Sequence, residues 1–226
     1  MRVLNVGGNR KSIPLPKIFE GWEQTMLDID PASDADLICD ARNLLNLSRL
    51  QQHFDGVHCS HNLEHYYRHD VTKVLAGFRY ALRDDGFAHI QVPNMQYVCA
   101  QVAAGADIED VAYISPAGPI RYVDMMYGLG SYIEMSGQDF MCHKNGFTPQ
   151  SLGNLLLTNG FPFVFVGTNG GELWAYGFKN KPSEQQMRDL HLVPTESGGP
   201  GDNAGSLSLT AQPEPAAAAP TKLEGA

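Results

Sequence analysis

The chain has few cysteines, few basic residues and no long apolar segment. Its 226 residues include 4 cysteines, and 25 acidic residues outnumber 16 lysines and arginines, for a net charge of -9. Without an excess of basic residues the chain has no surface suited to neutralising phosphates, so we expect no general nucleic-acid binding. No apolar run approaches the roughly 20 residues that a membrane-spanning helix needs, so we expect no membrane span.

The cysteines are far apart and form no Cys-x-x-Cys pair; they are Cys39, Cys59, Cys99 and Cys142. This spacing indicates neither a disulfide scaffold nor a zinc ribbon. The chain enters a strand-like segment at residues 3–6, which leaves no room for a signal peptide. We therefore expect reduced thiols and a cytoplasmic protein.

Short apolar segments alternate with helical or turn-like segments in the first half of the chain. We predict strands at residues 3–6, 25–27, 37–39, 56–59 and 87–92. Apolar residues recur at helical spacing from Val71 to Leu82, which predicts a helix with Asp70 as its N-cap, followed by a turn at residues 84–86. This alternation is typical of an α/β fold with a mostly parallel sheet.

The folded region is predicted to end in a helix and a hairpin. The helix begins at Thr148-Pro149, an N-cap followed by proline, and ends at Asn159-Gly160. Strands at residues 161–166 and 173–178 follow, and the Asn169-Gly170 turn between them predicts antiparallel pairing.

Two segments lie outside this plan. Residues 94–147 form an insertion that is too long for a plain connection, which favours a lid or substrate wall. From residue 182 the composition is dominated by Pro, Gly, Ala and Ser. We predict one domain over residues 1–181 and a disordered tail over residues 182–226.

Small or polar residues follow each of the first four predicted strands. Because the carboxyl ends of parallel strands share one edge of the sheet, these residues are expected to line one ligand crevice. Glycines there allow close approach to a ligand, and an acid after the second strand can bind ribose hydroxyls. The candidate residues are Gly7, Gly8 and Asn9; Asp28 and Ile29; Asp40 and Ala41; and Ser60 and His61.

With these motifs the chain resembles the class I S-adenosylmethionine (SAM)-dependent methyltransferases, in particular the small-molecule group with a Leu-Glu-His segment after strand four. The segments that carry the resemblance are residues 4–8, 27–30, 39–41, 54–57, 63–65 and 82–87. It implies a Rossmann-like, doubly wound, mostly parallel seven-stranded sheet that ends in an antiparallel hairpin. It also implies SAM as cofactor, with Gly7 and Gly8 at its methionine part, Asp28 at the ribose, and Asp40 with Ala41 at the adenine.

The sequence departs from that family after the first strand. Residues 9–16 include two prolines, which leave little space for the usual helix. This departure keeps open a second hypothesis, a protein of the same fold that binds the cofactor or a partner without turnover. Asp30 is an alternative to Asp28 as the ribose acid.

The segment from His61 to His65 also matches His-x-x-Glu-His, a spacing found in zinc metalloproteases. That interpretation needs both histidines on one helical face and a third ligand, for which Glu134 or His69 is available. It leaves the glycines, Asp28 and Asp40 unexplained, so we favour the cofactor crevice and assign no metal ligand.

Methyl transfer to a hydroxyl benefits from a general base beside the methyl group. The candidates are His61 and His65 after strand four, and Tyr127 and His143 in the insertion. The acidic composition disfavours nucleic acid and the lid favours a small-molecule acceptor, whereas a carbohydrate acceptor with a glycan hydroxyl follows only from the resemblance. The oligomeric state cannot be read from the sequence.

Overall fold

A computed structural model describes residues 1–193 and 208–211. The main sheet follows the order β3-β2-β1-β4-β5-β9-β8, with a short strand β10 added beside β8. Its strands are β1 Arg2–Val6, β2 Glu23–Asp28, β3 Leu37–Ile38, β4 Phe54–Ser60, β5 Leu82–Pro93, β8 Phe163–Asn169, β9 Glu172–Phe178 and β10 Ser208–Ala211.

The strands β1 to β5 are parallel, and β9 is antiparallel to both β5 and β8. The chain order reverses between β1 and β4, which is the switch point where open α/β sheets bind ligands. The seven-stranded, mostly parallel sheet with an antiparallel hairpin confirms the predicted fold class. The strand β10 was not predicted.

The two faces of the sheet are covered differently. The helices α1 (Arg68–Ala81) and α5 (Pro149–Thr158) pack on one face, where apolar residues such as Phe78 and Leu156 form the larger core. The opposite face is covered by the 3-10 turn Lys17–Phe19 and by residues near the helix Glu184–Asp189. The helix that commonly follows a first strand is replaced by this single turn, as the prolines predict.

Two local predictions around α1 were wrong. The N-cap is Tyr67, and Asp70 lies in the first helical turn, where it pairs with Lys73 at 2.7 Å. The predicted turn at residues 84–86 lies within β5, where the pairing with β4 shifts between Leu82 and Phe87. Residues 83–86 form a bulge in β5, because α1 passes into β5 without a separate loop.

The predicted C-terminal helix and hairpin are confirmed. Thr148 and Ser151 form a capping box at the start of α5, and Pro149 is the first helical residue. Gly160 ends the helix with a φ of 86°. The strands β8 and β9 pair in register from Phe163 with Phe178 to Asn169 with Glu172, around a tight turn.

Residues 94–147 fold into a small unit beside the carboxyl edge of the sheet. Its elements are α2 Met95–Ala103, β6 Val111–Ser115, β7 Gly118–Arg121, α3 Tyr122–Tyr127 and α4 Gly130–Ser136. Val98, Tyr122 and Met125 form its apolar centre. The side chain of Asn94 caps α2 and also donates to the carbonyl of Gly170, which ties this unit to the hairpin turn.

Part of the segment predicted to be a disordered tail is folded in the described residues. Residues Glu184–Asp189 form a helix, here α6, and Leu190 and Leu192 are buried against aromatic residues of the sheet. The two leucines supply apolar area that the composition of the whole segment conceals. The disorder predicted for residues 194–207 and 212–226 lies outside the described residues. No helix in the described part of the chain is both long and apolar enough to cross a membrane.

Candidate active site

A crevice of about 310 Å³ lies outside the carboxyl ends of β1 to β4. It is lined by seven of the residues predicted from the sequence: Gly7, Asn9, Asp28, Ile29, Asp40, His61 and His65. The insertion contributes the opposite wall through Tyr132, Gln138, Phe140, Met141 and Lys144, among others. The structure therefore brings together all four predicted strand ends.

Gly7 shapes the loop after β1. Its φ is 81°, a region that side chains other than glycine rarely adopt, and a Cβ there would lie 2.6 Å from Nδ2 of Asn62. Its amide donates to the carbonyl of Leu27 at 2.8 Å, which holds the end of β1 against β2. The loop can approach a ligand closely because no side chain intervenes.

Asp28 and Asp30, the two candidate ribose acids, have different surroundings. Oδ1 of Asp28 accepts from the backbone amide of Asp30 at 2.7 Å. Burial, opposed by the backbone hydrogen bonds, raises the pKa of Asp28. Asp30 accepts from the amide of Ala32 and from Nε2 of Gln138 at 3.0 Å, so its carboxylate joins the insertion to β2. Asp28 is consequently the more available acceptor.

Asp40 is engaged by Arg42. Its carboxylate caps the following 3-10 helix through the amide of Arg42 at 2.9 Å and forms a two-pronged ion pair with the same guanidinium. Burial opposes ionisation, but the hydrogen bonds and charge of Arg42 keep the pKa of Asp40 below its usual value. A carboxylate has about four acceptor positions, and these contacts, together with that of Nε to Oδ1 at 3.1 Å, use them. Arg42 also reaches Asp70 at 3.0 Å.

His61 lies between two carboxylates at the inner end of the crevice. Its Nε2 is 3.0 Å from Oε1 of Glu172, and its Nδ1 is 3.5 Å from Oε1 of Glu64. Burial disfavours the imidazolium, but the two glutamates outweigh it and raise the pKa of His61. Its φ of 47° is a strained value for a residue with a side chain. The two carboxylates therefore favour the charged form of His61, and its Nε2 donates to Glu172.

A second cavity of about 590 Å³ adjoins the crevice at His61, which lines both. It lies between the β8–β9 turn and the insertion, and its lining includes Tyr97, Tyr113, Ser115, Met125 and Glu172. Burial raises the pKa of Tyr113, and the charges of Glu172 and Glu64 add to this effect. The cavity combines aromatic rings with polar side chains next to His61.

The remaining predicted residues lie elsewhere. Gly8, Ala41, Ser60, Tyr127 and His143 line neither cavity. Tyr127 is 62% exposed on the outside of the insertion, whereas His143 is half-buried beside His65, with ring centroids 4.9 Å apart. The structure thus brings His61, His65 and His143 close to one another around Glu64, whereas Tyr127 lies away from them.

The His-x-x-Glu-His segment does not form the helical face that a metalloprotease needs. Only Leu63–His65 is helical, as a single 3-10 turn, and His61 precedes it with a left-handed backbone. His69 is 76% exposed in its side chain and stacks on Tyr67. The zinc protease interpretation therefore lacks its geometric basis.

Sequence reasoning missed Glu172, Arg42 and the tyrosines of the second cavity. Of these residues, Glu172 could have been found from the predicted strand pairing. Because β9 is antiparallel to β5, its first residue must lie at the carboxyl edge of the parallel strands, and that residue is Glu172. Arg42 and Tyr113 lie in segments whose sequence gives no such indication.

No protein-family model matches the sequence, and a search of curated proteins also finds no match. Among solved structures, a SAM-dependent methyltransferase from Archaeoglobus fulgidus is 16% identical. The match spans 78% of this chain and 85% of the methyltransferase, with a TM-score of 0.47. The PH0226 protein from Pyrococcus horikoshii is 13% identical over 78% of this chain and 81% of its own, with a TM-score of 0.47. The 1,6-didemethyltoxoflavin-N1-methyltransferase from Burkholderia thailandensis is 16% identical; the match spans 80% of this chain and 71% of the methyltransferase, with a TM-score of 0.44. That structure contains S-adenosylhomocysteine. The fold assignment rests on the strand order of this chain itself.

Proposed function

We propose that the chain is a SAM-dependent methyltransferase that acts on a hydroxyl of a small molecule or glycan. The observation that carries the proposal is the pairing of Gly7 and Asp28 at adjacent strand ends of one crevice, at the switch point of the sheet. Glycine after the first strand and an acid after the second are the two features that a ribose-containing cofactor requires there.

The residues of the crevice fit such a cofactor at its ribose end. Asp28 has no ion-pair partner among the described side chains and accepts from the Asp30 amide at one oxygen, so its carboxylate retains acceptor capacity toward two hydroxyls. At the adenine end, Asp40 is occupied by Arg42. An adenine amine has to displace at least one arm of that guanidinium, whose side chain is 41% exposed and also pairs with Asp70.

The bound cofactor supplies an electrophilic methyl group. The chain aligns an acceptor with that group and accepts the proton that the acceptor loses. The second cavity is suited to hold the acceptor because it meets the crevice at His61. Tyr97 and Tyr113 offer aromatic surfaces for a ring, and Glu172 offers a carboxylate to accept a hydroxyl proton. His61 orients Glu172 as a charged partner, a role different from the free base predicted from the sequence.

Cofactor binding is tested by calorimetric titration of S-adenosylhomocysteine into the wild type and Asp28→Asn. Loss of a charged acceptor should weaken binding at least about tenfold. The exposed acid Asp34 lies in the same loop region outside the crevice, so Asp34→Asn is the matched control. Equal affinity of the wild type and Asp28→Asn contradicts the proposal.

Turnover is tested separately with SAM labelled in its methyl group and an extract of hydroxylated metabolites and glycans. Label transfer into the extract supports the methyltransferase. Cofactor binding without transfer instead supports the cofactor-binding protein that the short loop after β1 keeps open as the second hypothesis.

A further inference from the structure

Glu64 is a buried carboxylate without a hydrogen-bond partner. It lies in the 3-10 turn after β4, is 1% exposed, and neither of its carboxylate oxygens accepts a hydrogen bond from the described residues. Its backbone carbonyl is fixed by the amides of Lys144 and Asn145 at 2.8 and 3.1 Å. Burying an ionised carboxylate is costly unless cations and hydrogen bonds satisfy it, and the contact with His61 at 3.5 Å reaches only one of the two oxygens.

His143 presents a ring nitrogen to this carboxylate. Its Nδ1 lies 3.0 Å from the carbonyl of Met125, and a carbonyl can only accept, so Nδ1 bears the proton. In the neutral ring, Nε2 then carries a lone pair, and it lies 3.9 Å from Oε1 of Glu64. A histidine whose second nitrogen donates to a backbone carbonyl has the tautomer and orientation of a metal ligand.

His65 offers a second nitrogen. Its Nδ1 lies 3.2 Å from the carbonyl of Cys142 and its Nε2 lies 3.1 Å from the carbonyl of His61. Both nitrogens therefore face carbonyl oxygens, and a metal ion binds one of them only when that nitrogen leaves its carbonyl while the other donates to its own. One nitrogen of each histidine and one oxygen of Glu64 lie within 4.8 Å of one another.

We propose that Glu64, His65 and His143 bind a divalent zinc ion. Two imidazole nitrogens and a carboxylate oxygen form a donor set typical of zinc, with a fourth position left for water or substrate. The ligand atoms have to approach one another by up to about 1.5 Å to reach tetrahedral spacing. The set differs from the His-x-x-Glu-His scheme, because Glu64 is a ligand and His61 is not.

The ion would join two parts of the chain that are far apart in the sequence. Glu64 and His65 follow β4, whereas His143 belongs to the insertion. Zinc binding therefore fixes this part of the insertion over the crevice, which His65 lines. The inference does not depend on the proposed methyltransferase activity.

The test uses untagged full-length protein that has been treated with a chelator and then titrated with zinc against a chromophoric competitor. We expect one zinc per chain, and Glu64→Gln and His143→Gln should each weaken binding at least about tenfold. The exposed His69 lies near His65 in sequence, so His69→Ala is the control and should bind as the wild type does. Circular dichroism confirms that each variant is folded.

Cobalt gives a second readout, since the wild type should show the visible absorption of a four-coordinate cobalt site and His143→Gln should lose it. His143 lies in the insertion outside the main core, so we expect His143→Gln to fold. The test can then be decided with this variant if Glu64→Gln does not fold. A wild type without stoichiometric zinc, or zinc affinity unchanged in folded His143→Gln, overturns the proposal. Either result leaves the S-adenosylhomocysteine titration unaffected.

Discussion

The Nε2 atom of His61 lies 3.0 Å from Oε1 of Glu172, although 111 positions separate the two residues. His61 follows β4, and Glu172 begins β9. Gln91 also donates to Glu172, at 3.2 Å from its second oxygen. This contact marks the boundary between the crevice and the second cavity, so the two cavities can be tested independently.

Glu172→Gln should lower the rate of methyl transfer about 100-fold, because a neutral amide cannot accept the proton of the acceptor. Affinity for S-adenosylhomocysteine should stay unchanged, since Glu172 does not line the cofactor crevice. Single-turnover kinetics and calorimetry measure the two quantities. Glu184→Gln, on the exposed helix α6, is the control. A variant with full activity would exclude Glu172 as the proton acceptor.

Gly7→Ala should abolish cofactor binding, because the new methyl group meets Asn62 and displaces the loop after β1. Gly21 has a similar φ of 77°, and no atom lies within 4 Å of the position that its new methyl group would take, so Gly21→Ala isolates the cost of the backbone conformation. Gly21→Ala should lose about 1 kcal/mol of unfolding free energy in urea, and Gly7→Ala should lose more because the contact with Asn62 adds to the backbone cost. Only Gly7→Ala should lose S-adenosylhomocysteine binding, and equal binding by the two variants would contradict the role of this loop.

Arg42→Gln should tighten binding of S-adenosylhomocysteine about threefold to tenfold, because it frees acceptor positions on Asp40. Arg49→Gln, at an exposed arginine outside the crevice, should leave the affinity unchanged. Calorimetry measures both. Weaker binding by Arg42→Gln would show that the guanidinium itself contacts the cofactor, against the assignment of Asp40 to the adenine.

His58 and His89 make the folded state sensitive to acid. They are buried neighbours on β4 and β5, with Nδ1 atoms 3.1 Å apart. Burial, reinforced by the charge of His61, lowers the pKa of His58 to about 4, and burial together with His58 lowers the pKa of His89 to about 3. The unfolded chain binds protons from about pH 6.5 downward, so the contribution of the two histidines to stability is complete above that pH and is lost as the pH falls toward 4 for His58 and toward 3 for His89.

The expected loss is at most about 1.4 kcal/mol per pH unit for each histidine. Urea unfolding at neutral pH and at about pH 5 measures it. His89→Phe should reduce the slope because it removes one of the two sites, whereas His69→Ala should leave it unchanged. An unchanged slope in His89→Phe would show that other groups cause the acid sensitivity.

Several parts of the fold follow from local sequence features. The Thr148-Pro149 cap and the Asn169-Gly170 turn specify their elements through backbone conformations that few other residues favour. Predictions failed where tertiary packing replaced local rules. Asp70 became part of the first turn of α1 because Arg42 and Lys73 pair with it there, and residues 190–192 are ordered because the sheet offers an aromatic surface.

The sequence alone determined that four strand ends with Gly7, Asp28, Asp40 and His61 share one edge, because side-chain periodicity and parallel connections fix that edge. It left open which of these groups are free to bind a ligand. The tertiary structure decided that Arg42 occupies Asp40, that Glu172 meets His61, and that His143 faces Glu64. These contacts depend on how the insertion and the hairpin pack against the sheet, and such long-range packing leaves no periodic pattern in the chain.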